Sequence, residues 1–83
     1  MHELSLAQGI LKIALAKAKE HKLKVITKVN LVVGRHFYLE EQGLKQCWPI
    51  ATENSIASAA ELVVKLKESN NPEEYYIESI EGD

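Results

Sequence analysis

Lys24-Val25-Ile26-Thr27-Lys28-Val29-Asn30-Leu31-Val32-Val33-Gly34 is the stretch from which the architecture follows. Its β-branched content and alternation predict a strand, with Val25, Thr27, Val29, Leu31 and Val33 on one face and Lys28 and Asn30 on the other. Gly34 ends it. Upstream, Ser5 followed three residues later by Gln8 matches a capping box and makes Ser5 the expected N-cap of a helix. Ala7, Ile10, Leu11, Ala14 and Ala18 then share one helical stripe, widened by Leu6, Ile13 and Leu15, and the helix fades near His21 and Lys22.

Downstream, Leu39, Leu44, Cys47 and Trp48 fit one face of a second helix from about Glu40 to Cys47 or Thr52, kinked or ended by Pro49. Glu61 to Lys67 alternates again, with Leu62, Val64 and Leu66 inward, and Tyr75 to Glu81 makes a third strand. Ile77 and Ile80 are three apart, so both point inward only if that strand carries a bulge. Ser69-Asn70-Asn71-Pro72 is rich in turn formers and predicts a hairpin between the last two strands. The order αβαββ gives an α+β, two-layer fold, with two helices packed on one face of a three-stranded mixed sheet and a parallel crossover from the first strand to the next. The other sheet face, with Lys28, Asn30, Lys65, Lys67, Ile26, Val32 and Val63, is a partly apolar surface that a partner or second copy would cover.

At 83 residues, 46% of them hydrophobic, the chain is expected to form a single small domain with a modest core. Ten basic against twelve acidic side chains supply no attraction for nucleic acid. Charge is nonetheless segregated: six lysines stand between Lys12 and Lys28, and six acids with no base stand between Glu68 and Asp83. The apolar runs are far shorter than the ~20 residues of a membrane span. His2 and Glu3 stand where a secretory signal would begin with basic and apolar residues, so a cytoplasmic protein is expected. Cys47 is the only cysteine, which leaves neither an intramolecular disulfide nor a four-thiolate zinc site. No nucleophile and base pair, phosphate-cradling loop or paired catalytic carboxylates assemble, so an enzyme is not expected.

Chemistry concentrates at Met1-His2-Glu3. The Met1 amine and the deprotonated His2 amide nitrogen close a five-membered chelate ring, and the same amide with the His2 imidazole closes a six-membered one. Nitrogen donors in a planar set suit Ni(II) or Cu(II), with the Glu3 backbone nitrogen or another imidazole in the remaining position. The bulk of His2 also disfavours removal of the initiator Met. His36, just after the first strand, offers itself as that further ligand.

Met1-His2-Glu3-Leu4-Ser5-Leu6-Ala7 and Ile26-Thr27-Lys28-Val29-Asn30-Leu31-Val32-Val33-Gly34, with Leu39-Glu40, Leu44, Ala59-Ala60-Glu61-Leu62 and Ile77-Glu78-Ser79-Ile80-Glu81, resemble the HypA-type nickel-insertion accessory proteins of [NiFe]-hydrogenase and urease maturation. The resemblance implies a nickel metallochaperone with His2 as side-chain ligand and Glu3 contributing through its backbone and to partner binding. It places Glu40 as an acid near the His2 ring, where a carboxylate would fix the imidazole tautomer. The implied partners are a hydrogenase-maturation GTPase and the hydrogenase large-subunit precursor. Family members carry two CxxC pairs between the last two strands. Here a short turn near residues 68–74 takes that place, so no zinc is expected. Arg35-His36-Phe37-Tyr38 also departs from the family's small and acidic residues. The alternative is a metal-independent interaction module derived from that family, working through its open sheet face or pairing as a homodimer through a strand edge. Partner binding that survives His2→Ala would mark that alternative.

Overall fold

Leu31, Val32 and Val33 are buried one after another, which a strand achieves only when it is covered on both faces and flanked on both edges. The computed structural model describes residues 2–83, and the side chains of residues 3–83. Its elements are α1 (His2–Glu20), β1 (Ile26–Val33), α2 (Arg35–Tyr38), α3 (Glu41–Thr52), β2 (Glu61–Leu66) and β3 (Tyr75–Gly82). The sheet order is β2-β1-β3, with β1 parallel to β2 and antiparallel to β3. This is the expected α+β arrangement with a mixed three-stranded sheet, plus the short helix α2.

The expected hairpin between the last two strands does not form, because β2 and β3 lie on opposite sides of β1. The connection 67–74 spans two strand spacings, ~10 Å, which its length allows, and the gain is a fully flanked β1. Inner rungs follow from the register: Leu62, Val29 and Ile80 stand side by side, as do Val64, Leu31 and Ile77. Between Asn30 and Leu31 the β1–β3 pairing shifts by one residue at Glu78, so both isoleucines of β3 face inward as the bulge reading requires.

A second shift, at Thr27, overturns part of the expected facing. Ile26 is fully buried and Thr27 exposed, the reverse of strict alternation, because the extra residue at Thr27 resets the phase. The outer sheet face is therefore less apolar than the sequence suggests. Lys65 reaches Glu78 at 3.5 Å, Lys67 lies 3.9 Å from Glu74 and stands over the Tyr76 ring, and these side chains border Val32.

α1 begins at His2, so Ser5 lies inside the helix and is not its N-cap. The turn before Ser5 packs against α3 through Glu3, and that tertiary contact outweighs a local capping pattern. Ala7, Ile10, Ala14 and Ala18 form the buried stripe, while Ile13 stands in solvent. The helix ends in a Schellman arrangement: Leu23 N–H donates to Ala18 O at 2.8 Å, Lys22 N–H to Lys19 O at 3.2 Å, and Lys22 has φ 60°. α3 runs through Pro49 to Thr52. Leu44, Trp48 and Thr52 line its buried face at four-residue intervals. Trp48 Nε1 donates to Ala60 O at 3.0 Å and Thr52 Oγ1 to Trp48 O at 2.8 Å, bonds that hold the turn around the proline.

Candidate metal centre

α1 starts at His2, so the backbone N–H groups of His2, Glu3 and Leu4 belong to the first turn and have no acceptor within the helix. A chelating amide nitrogen there need not give up a helical hydrogen bond. Met1 and the side chain of His2 lie outside the described residues.

Glu3 is half-buried, and its side chain runs onto α3 at Gly43. A Cβ at position 43 would stand 3.2 Å from Glu3 Cγ and 3.3 Å from Oε2, so the absence of a side chain at Gly43 opens the seat. The first turns of two helices meet here, and their unpaired N–H groups favour an anion between them. Glu40 is the residue preceding α3, one turn before Gly43, and its carbonyl accepts the Leu44 N–H at 3.0 Å. Glu41 pairs with Lys45 at 3.0 Å on the outward side. The α1–α3 packing thus brings Glu3 and the start of α3, with Glu40, to one end of the molecule.

His36 belongs to α2, which caps the sheet where β1 ends. Its backbone N–H donates to Pro72 O at 2.9 Å, and its ring meets Phe37 edge-on at 5.4 Å, Phe37 in turn meeting Tyr75 at 5.8 Å. Arg35 pairs with Glu68 across the same connection. Among the described residues no three His, Cys, Asp or Glu side chains converge as a metal-holding group, so Glu3, Glu40 and His36 do not make one by themselves. Gly43 is the residue that sequence reasoning passed over. Its signal was a glycine two residues inside a helix start, where a better helix former would ordinarily stand.

Trp48 is buried and bonded, Cys47 packs against the core, and His21 is exposed beyond the end of α1.

Residues 1–71 match a family model described as hydrogenase/urease nickel incorporation, metallochaperone, hypA. A hydrogenase maturation factor HypA from Caldanaerobacter subterraneus subsp. tengcongensis is 41% identical over 66 residues, covering 80% of this chain and 58% of the relative. The protein of that name from Dehalococcoides mccartyi is 39% identical over 62 residues, 75% of this chain and 52% of the relative. That from Archaeoglobus fulgidus is 30% identical over 70 residues, 84% of this chain and 64% of the relative. The chain therefore spans between half and two-thirds of the length of these relatives. With the family model matching from Met1 through the loop after β2, the chain belongs to the HypA family.

Proposed function

We propose that the chain is a nickel-binding accessory protein that takes one Ni(II) at Met1-His2-Glu3 and passes it to a partner in [NiFe]-hydrogenase maturation. Nickel is cargo, so the site must both capture and release it. The donors are the Met1 amine, the His2 amide nitrogen and the His2 imidazole, with the fourth position taken by the Glu3 backbone nitrogen or by the His36 imidazole. Glu40 acts on the His2 ring as acceptor for its second N–H, fixing the tautomer. The partners are the hydrogenase-maturation GTPase and the large-subunit precursor, and transfer proceeds by ligand exchange at a terminal, open site.

The observation that carries this reading is the Glu3 seat on Gly43, which holds the first turn of α1 against the start of α3. That packing supports a first turn of α1 held at Glu3, with the His2 and Glu3 amides outside the helical hydrogen bonding.

Calorimetric titration of Ni(II) into protein with Met1 at its free terminus is the test. One nickel per chain is expected, with the heat lost in His2→Ala and in a chain extended by two N-terminal residues, while the circular dichroism of all three stays alike. Equal binding by all three would remove the terminal site. His36→Ala then separates the two candidates for the fourth position.

A further inference from the structure

β3 is an outer strand, and one edge of its backbone is unpaired. Beyond the bulge at Glu78 that edge opens into a groove of about 600 Å³, with Glu78 to Gly82 on one side and Lys17, His21 and Leu23 on the other. The two edges of the sheet differ. β2 carries Lys65 and is followed by Lys67, both engaged in ion pairs across the sheet. β3 has no Lys, Arg or Pro, which are common guards of an exposed edge, and among the described residues Glu81 makes no ion pair.

We infer that the β3 edge and the groove beside α1 form a docking site for an extended segment of another protein whose basic and apolar side chains alternate. The pleat fixes this pattern. Ile80 stands opposite inward-facing Val29 and points to the α1 side, whereas Ser79 and Glu81 stand opposite Asn30 and Lys28 and point outward with Glu78. A strand added to β3 places every second side chain over Ile80 and Leu23, on the wall that also carries Lys17 and His21, so an uncharged apolar group is covered there and a cation is not favoured. The intervening side chains fall beside Glu78 and Glu81, where a Lys or Arg finds an opposite charge. The site is independent of nickel.

The test is a two-dimensional NMR titration of the full chain with a capped hexapeptide of alternating Val and Lys, beside one of alternating Val and Glu. Saturable shifts at residues 78–82, Lys17 and Leu23 are expected with the lysine peptide, weakened at least about fivefold for the glutamate peptide. The double variant E78K/E81K should reverse that preference while keeping the native pattern of core resonances. Equal binding of both peptides, no binding to β3, or shifts confined to the outer sheet face would overturn the inference. So would slow exchange of the residue 79–82 amides from self-association before any peptide is added, which would assign the edge to a second copy.

Discussion

The side chain of Glu3 lies across the backbone of Gly43, so closely that a Cβ at 43 would come within 3.3 Å of its Oε2. Gly43→Ala separates stability from metal affinity. Alanine favours the helix by up to about 1 kcal/mol, but its Cβ presses on Glu3 Cγ and Oε2, so the Glu3 seat must give by a few tenths of an ångström. The melting temperature should hold or rise slightly while nickel affinity falls about tenfold, in the range typical of lost supporting groups around a metal. Unchanged affinity in calorimetry would mean that the position of Glu3 does not matter to the metal.

Gly34 is a different kind of glycine. A Cβ there would stand 2.5 Å from Pro72 O and 2.7 Å from Asn71 O, both backbone atoms of the connection that His36 N–H also grips. Gly34→Ala should cost about 1–3 kcal/mol in urea unfolding. Gly9→Ala is the control: its nearest neighbour would be Tyr75 Oη at 3.7 Å, an ordinary contact, and the substitution should stabilise.

Lys22 holds the left-handed position that ends α1, with φ 60°. Lys22→Gly removes the Cβ clash of that conformation and should stabilise by about 0.5–1 kcal/mol. Thermal unfolding reads this as a rise of several degrees, and a fall would mean that the Lys22 side chain has a packing role the backbone does not reveal.

Trp48→Phe keeps most of the ring packing and removes the donor to Ala60 O. The buried carbonyl left without a partner should cost about 1–3 kcal/mol. Trp48 is the single tryptophan, so the unfolding must be followed by circular dichroism, and a cost below about 0.5 kcal/mol, within measurement error, would show that water reaches Ala60 O.

Nickel affinity should fall as pH drops. The amine, amide and imidazole must all lose protons to bind, so protons compete with the metal. Between about pH 7.5 and 5.5, a window that spans the ordinary imidazole value, the affinity should lose at least about tenfold per pH unit, and a flat profile would exclude deprotonated nitrogen donors at this site altogether.

Most of the fold was legible because the signals were local. The buried stripe of α1 is periodic, Leu62 and Val64 of β2 turn to the core as their alternation predicts while Leu66 at the strand's end is exposed, and the three-residue spacing of Ile77 and Ile80 announces its own bulge. The errors were all tertiary. Nothing near Thr27 marks a second bulge, since it arises only when β3 is laid beside β1. The turn formers at Ser69 to Pro72 mark a reversal but not which strands it joins, and the choice went to burying both edges of β1. Ser5 misled because a capping pattern is weaker than the packing of Glu3 on α3. At the candidate site, Met1-His2-Glu3 stands out by its donor chemistry, whereas the seat at Gly43 is visible only once α1 and α3 are crossed.

The placement of β1 between two later strands also governs how the chain matures during synthesis. Ile26 waits for Gly82 and Val33 for Tyr75, so the most apolar strand has one open edge until the last residues of β3 leave the ribosome. A nascent chain stalled after β2 exposes that edge to any neighbouring strand, and completion of β3 is the event that covers it. The same eight-residue strand that finishes the sheet closes that window for β1, moving the open edge from the apolar strand to one that carries Glu78 and Glu81.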